Sequence, residues 1–455
     1  MNRSLLVVAI GAWACLSLVG CGGGGAKSTP SGLTKRVLAS QGVTSAVTFG
    51  GLVFINGEND TLPRVAPIGA GSNPGLMAIS PSRNIVAAFD ASSNIVYATD
   101  TATEKPIGNV RLAAPTASFV IPSALAVGYA AVPAATVNDF SFIGAVQEMN
   151  FSAYSLITTI AVPSAQTVVS NQNGAELLVF SNGSDSITVL FPGVAVPPVD
   201  TSCVNNPPNT AVCVAVAEPL GSRPVNAIVS GTTAYIFNCG YECGGLTAGG
   251  QPAPASVAIL DLDSLTITGS IQVNGATFGL LTNSTLYVAG KGTPTGPLCA
   301  ALTSSINPKT AATYCGTLDI VDLNTMTDPY LNSPSTEIAI PDGFYERIDL
   351  TPNGQLFLGS EGCTDIGNVN NPSGEVRGCL AIYNTTNNSL IIPPDNGDVN
   401  GLQGFVDYNK EYVAEGGNLR VYDTLTDVLL INDYLPEGTI NITGYVGDIK
   451  AIDFF

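Results

Sequence analysis

From residue 34 onward the chain alternates apolar and polar positions in short runs, most of which end in Asp or Asn. The clearest reads Leu419-Arg420-Val421-Tyr422-Asp423 and continues Thr424-Leu425-Thr426-Asp427. A period of two suits a half-buried strand, and the Asp-Thr-Leu-Thr that follows can bond its own backbone and turn the chain. The same run ends at Asn56, Asp100, Asn150, Asp261, Asp322 and Asn384, and without an acidic end at Phe191. These eight ends stand 39 to 70 positions apart. Each copy predicts the same neighbours in the same order. An inner strand (75–80, 344–350) meets a turn such as Thr351-Pro352-Asn353-Gly354. A second strand (355–359), the repeat strand and an outer strand (266–273) then follow. The pattern is all strand, four to a unit, with no helical period.

Two kinds of segment carry a family likeness. Ala98-Thr99-Asp100-Thr101-Ala102-Thr103 and Tyr422-Asp423-Thr424-Leu425-Thr426 resemble the repeat of YVTN-type bacterial β-propellers. The second strands Thr285-Leu286-Tyr287-Val288-Ala289 and Glu411-Tyr412-Val413-Ala414 carry that family's Tyr-Val step. The resemblance covers nearly all of the chain beyond its first 33 residues and implies an all-β propeller of four-stranded antiparallel blades. It is specific for fold and not for function, because propellers serve many purposes. Eight blades are expected, or seven if one weak copy is an insertion; 167–218 is where a blade would be lost. Closure is legible too. Segments 35–40, 52–56 and 64–68 predict three strands without an inner partner, and 445–454 predicts an inner strand without the others. Sharing one blade between the two ends leaves no free edge.

Ahead of the repeats stands a different kind of segment. Met1-Asn2-Arg3 is a short basic start, and residues 5–18 form an apolar run too short to span a bilayer. It ends in Leu18-Val19-Gly20-Cys21, which resembles a bacterial lipobox. That resemblance implies a signal peptide over 1–20, lipid on Cys21, a flexible Gly-rich tether over 21–33 and a single domain over 34–455. The address implied is the bacterial cell envelope, at the outer membrane or the periplasmic face.

Composition removes whole classes of chemistry. There is no His, which excludes Ser-His-Asp and Cys-His catalysis, His-ligated haem and His-ligated zinc. The single Trp, Trp13, lies in the leader. A net charge of −19 repels phosphate backbones and argues against nucleic-acid partners. Gly (49) and Pro (30) are spread along the chain, as turn punctuation in a β protein requires. Beyond Cys15 and Cys21, eight cysteines remain, an even number in an exported chain, and neighbours are expected to pair: Cys203 with Cys213, Cys239 with Cys243, Cys299 with Cys315, and Cys363 with Cys379. The last three pairs fall in second-to-third-strand connections and so share one rim with the long insertion 132–144, while Cys203–Cys213 belongs to the opposite rim. Long ordered loops on a rigid scaffold are where binding resides.

Candidate chemistry concentrates near that rim. Tyr345, Glu346 and Arg347 open an inner strand beside the expected channel, and Glu361, Asp365 and Arg377 share a stapled loop. Of these, Tyr345, Arg347, Glu361, Asp365 and Arg377 are the candidate binding residues for a small polar ligand. Asp395 and Asp398, in a turn-rich segment with Asn396 and Asn400, offer the oxygens calcium prefers but lack EF-hand spacing. Asp261, Asp263 and Asp322 are expected to cap turns. No nucleophile elbow or nucleotide-binding glycine loop is present. The sequence therefore predicts a lipid-anchored, non-enzymatic binding or scaffold protein that engages a protein, glycan or small molecule through its stapled face. The alternative is a lactonase- or lyase-type propeller with a carboxylate-held divalent metal in the channel.

Overall fold

The computed structural model describes residues 30–453, apart from 45–48, 124, 138–140, 172, 193–204, 207–210, 292–314, 330, 332–337, 364–378, 394–396 and 433–434. Within them the chain forms eight antiparallel sheets and two short 3₁₀ segments, Gly240–Cys243 and Val406–Tyr408. Each sheet is one blade of a β-propeller, numbered here from the first complete one. Blade 1 runs from Pro74–Ile79 through Ile85–Asp90 and Ile95–Asp100 to Lys105–Arg111. Blades 2 to 7 repeat this meander, with inner strands Ser118–Val120, Ala165–Ser170, Pro224–Ser230, Phe278–Thr282, Phe344–Leu350 and Val399–Phe405. Blade 8 joins the two ends of the fold: Tyr445–Ala451 is innermost, then Arg36–Gly42, Gly51–Asn56 and Ile68–Gly69. Its outermost strand is two residues long where the sequence predicts 64–68, because Pro63 and Pro67 have no N–H to donate to a ladder.

Ring closure is visible in the core. The buried apolar side chains fall into eight clusters, each formed by two adjacent blades, including blade 8 with blade 1 and blade 8 with blade 7. Alternate residues of one strand face opposite neighbours: Val37 and Ala39 join blade 7, while Leu38 joins blade 1. Both faces of a blade are therefore covered, which is why second strands such as Ile85–Asp90 are buried along their whole length. The region in which a blade stood at risk forms a complete blade 3. Its third strand, Ser186–Pro192, keeps the apolar alternation without an acidic end and pairs over seven residues with Ala211–Ala217.

The terminal Asp and Asn of the repeat are turn-makers, as their spacing predicts. The backbone N–H groups of Glu58, Thr103, Ala153, Ser264, Asn324, Thr386 and Leu425 donate to the side chains of Asn56, Asp100, Asn150, Asp261, Asp322, Asn384 and Asp423. Four residues beyond each of these acceptors the chain passes through the left-handed region, with φ of 53–59° at Asp60, Glu104, Tyr154, Leu265, Met326, Asn388 and Asp427. That conformation costs a side chain about 1–2 kcal/mol. Tyr154 is 64% exposed and contributes little packing. Tyr154→Gly is therefore expected to stabilise the protein by about 0.5–1 kcal/mol in chemical denaturation.

Two ionic clusters lock blade 8 to its neighbours. Arg36 makes a two-pronged pair with Asp453, Nε and Nη2 each 2.8 Å from a carboxylate oxygen, and its Nη1 reaches Glu104 at 2.9 Å. On the other side, Lys410 Nζ lies 2.6 Å from Asp60 Oδ2, and the Tyr412 hydroxyl donates to Asp60 Oδ1.

Candidate functional site

In a four-stranded meander, the start of every inner strand shares one rim with every second-to-third connection. On that rim the disulfide Cys239–Cys243 encloses the 3₁₀ segment, and Cys363–Cys379 ties the base of the connection 364–378. Cys213, in the outer strand of blade 3, is also disulfide-bonded. Cys203, Cys299 and the side chain of Cys315 lie outside the described residues, as do Cys21 with its leader, residues 22–29 of the tether, Asp365, Arg377 and Asp395. Closing a loop of the Cys363–Cys379 size is worth about 3 kcal/mol. Replacing both by Ser is expected to lower unfolding stability by about 2–4 kcal/mol in a denaturant titration.

The inner strands surround a central cavity of about 530 Å³. Leu76, Phe119 and Phe278 give part of its wall an apolar character, and Glu346, Arg347, Asp448 and Lys450 make the wall of blades 6 and 8 charged. Arg347 Nε donates to the carbonyl of Asn400 at 2.8 Å, and its Nη1 to the carbonyl of Glu346 at 2.9 Å, which fixes the guanidinium across the start of blades 6 and 7. Asp448 is 1% exposed; its Oδ2 accepts the Met77 N–H at 2.8 Å and its Oδ1 meets Lys450 Nζ at 2.8 Å. Glu361 stands at the end of the second strand of blade 6. Burial pushes its carboxyl above the usual range, and the charges of Glu346, Asp398 and Asp448 push the same way against Arg347. Asp398 is exposed and accepts the Gly362 N–H at 2.7 Å. Beside these acids, Phe344 and Tyr445 are 40% and 42% exposed. The rim at blades 6 to 8 thus joins carboxylates, one guanidinium and two accessible rings at the cavity mouth.

Of the sequence candidates, the structure brings Arg347 and Glu361 together there. Tyr345 is a correction. It belongs to the cavity wall, but its ring is fully buried between blades 5 and 6 and its hydroxyl donates to the Pro341 carbonyl, so it braces the wall from behind. Strand alternation explains this, since Phe344 and Tyr345 point to opposite sides. Phe344, Asp448 and Lys450 were not singled out from sequence; the only signal was their position in inner strands.

A second polar group underlies the same rim between blades 3 and 4. Asn238 Nδ2 donates to Glu218 Oε2 at 3.3 Å and to Ser256 Oγ at 3.2 Å, while Glu218 Oε1 and Asn238 Oδ1 are buried without partners. Burial raises the Glu218 carboxyl from 4.5 to about 7, against the hydrogen bond from Asn238. The folded chain keeps this proton up to about pH 7, whereas the unfolded chain releases it near 4.5. The contribution of Glu218 to stability is therefore full below pH 4.5 and is lost as pH rises through 7. Allowing for partial hydration, Glu218→Gln is expected to remove roughly 2 kcal/mol of that decline in pH-dependent denaturation.

No family model matches the chain, and no curated protein matches its sequence. Solved structures do resemble it. The dihydro-heme d1 dehydrogenase NirN, in complex with DHE, aligns with a TM-score of 0.57 at 11% identity, over 92% of this chain and 75% of that one. The Dos1 propeller aligns with a TM-score of 0.52 at 8% identity, over 82% and 85%. BamB from Moraxella catarrhalis aligns more loosely, with a TM-score of 0.46 at 11% identity, over 85% and 92%. At such identities the likeness is one of fold: the chain is an eight-bladed β-propeller with a mixed polar and aromatic channel mouth on its stapled rim.

Proposed function

We propose that this propeller is a non-enzymatic binding or scaffold protein of the bacterial cell envelope. Lipid on Cys21 holds it to the membrane, and its stapled rim receives a partner or small polar ligand. The observation that carries this reading is the channel mouth at blades 6 to 8. There Phe344 and Tyr445 stand exposed beside Glu346, Arg347, Glu361 and Asp398, above a cavity of about 530 Å³. Accessible aromatic rings beside an oriented Arg are the residue types that dominate recognition energy. Among the described residues no helix is long and apolar enough to cross a membrane, and lipid at Cys21 would supply the attachment instead. The second reading is a lactonase- or lyase-type propeller with a carboxylate-held divalent metal in the channel.

The test is capture of envelope components by the full chain in detergent, with paired surface variants. Phe344→Ser and Arg347→Ala are expected to abolish capture, while Leu125→Ser, on the opposite rim and 70% exposed, leaves it unchanged. Loss with Leu125→Ser alone would contradict the assignment of the working face.

A further inference from the structure

The chain enters the fold at the rim opposite the channel mouth. The Ser31 N–H and Oγ each donate to a carboxylate oxygen of Glu104 at 2.7 Å, and Glu104 stands in the third-to-fourth turn of blade 1. Leu33 packs into the core between blades 8 and 1, and Arg36 pairs with the same Glu104. In this meander every third-to-fourth turn shares one rim with every first-to-second turn, while the channel mouth and both of the placed staples lie on the other. Residue 30 therefore leaves the propeller at the rim of turns.

The length of chain ahead of it decides which rim can lie on a membrane that holds Cys21. Nine steps separate Cys21 from residue 30, and a fully extended chain covers about 30–32 Å in nine steps. Strands of blade 1 are six and seven residues long, so a blade stands about 20–23 Å tall before its loops are added. Laying the mouth on the membrane would take the whole of that reach for height and leave none to round the edge of the ring. Laying the rim of turns there needs no extension. Exposed apolar side chains do not choose between the rims by themselves, since Leu220 and Phe344 stand on the side of the mouth.

The rim of turns is nonetheless supplied with them. Leu125 is at the first-to-second turn of blade 2, and Tyr154 and Met326 are at the third-to-fourth turns of blades 2 and 5; all three are exposed. On blade 7, Leu425 and Val428 are 62% and 56% exposed. Tyr154 and Met326 occupy left-handed positions, with φ of 57° and 56°, where blade 6 has the better suited Asn388. Large apolar side chains thus stand at strained turn tips where they bury little against their own fold. Glu58, Asp263 and Asp407 are exposed on the same rim and disfavour anionic headgroups, so neutral ones suit it.

We propose that the rim of turns is a lipid-facing surface, on which Leu125, Tyr154, Met326, Leu425 and Val428 meet a membrane of neutral headgroups while the channel mouth faces away from it. This inference rests on the lipid at Cys21 proposed above. It directs the mouth toward partners in the aqueous space and away from the bilayer that carries the anchor.

The test places the lipid-bearing full chain in vesicles of phosphatidylcholine and phosphatidylethanolamine with brominated acyl chains, which quench tryptophan on contact. Cleavage before Cys21 removes Trp13, so an introduced tryptophan is the only one. Leu125→Trp and Leu425→Trp are expected to emit about twofold less than in unbrominated vesicles, as side chains at the acyl boundary do, and Phe344→Trp equally in both. Flotation with the vesicles is scored first. A chain that does not float, or floats as well with Cys21→Ala, overturns the anchor and this surface with it. A chain that floats through Cys21 but shows quenching of Phe344→Trp, or none of Leu125→Trp and Leu425→Trp, overturns the surface and leaves the anchor standing.

Discussion

Lys410→Met is expected to destabilise the folded ring by about 3–5 kcal/mol, the cost of leaving one partner of a buried ion pair alone. The Asp60 and Lys410 side chains are 2% and 9% exposed, and their charged atoms are 2.6 Å apart. Without Lys410, Asp60 keeps only the Tyr412 hydroxyl, and the turn of blade 8 loses its tie to blade 7. Burial is the first cause that holds the Tyr412 hydroxyl well above the usual phenol range, and the Asp60 charge adds to it, so the tyrosine stays neutral and remains a donor. Lys410 also lies 5.2 Å from the centre of the Tyr408 ring, a contact that methionine replaces only in its apolar part. Denaturant unfolding of Lys410→Met checks the magnitude. A loss below about 1 kcal/mol, the range of surface pairs, would show that the cluster is hydrated.

Arg36→Met is the second large effect, expected at about 3 kcal/mol. Arg36 joins three parts of the chain. Its backbone N–H and two guanidinium nitrogens donate to Asp453 at 2.8–2.9 Å, and Nη1 donates to Glu104 and to the Thr101 carbonyl. Removing the guanidinium strands Glu104, whose side chain is 6% exposed, with only Ser31 as partner. Asp453 is 18% exposed and partly hydrated, which places the expected cost at the lower end of the buried-pair range. Because both partners serve closure, Arg36→Met is also expected to lose protection from amide exchange first along Tyr445–Ala451 and Arg36–Gly42.

The fold was legible because the repeat carries its own grammar. Strand alternation, a strand-ending Asp or Asn and a turn returned the same unit around the ring, and the two incomplete ends matched each other. The acid-free copy at Ile187-Thr188-Val189-Leu190-Phe191 shows which element of that grammar matters. Alternation alone sufficed to build the strand, and the cap is dispensable. The site was less legible, for a physical reason. Cavity-lining residues in a propeller come together from inner strands far apart in sequence, so Phe344, Asp448 and Lys450 form no motif. Tyr345 shows the converse: one step along the strand from the exposed Phe344 its ring is buried in the core as a brace. Asp398 accepts the Gly362 N–H, and Asp395, the other half of the calcium expectation, lies outside the described residues.

Removal of Tyr445–Ala451 tests the closed ring most directly, because this strand alone completes blade 8 from the far end of the fold. A chain ending at Gly444 is expected to lose its single cooperative unfolding transition and to expose the Leu38 and Val37 faces of blade 8 to solvent and to aggregation. A truncated chain that unfolds at the same temperature and with the same cooperativity as the intact one would contradict closure through shared ends.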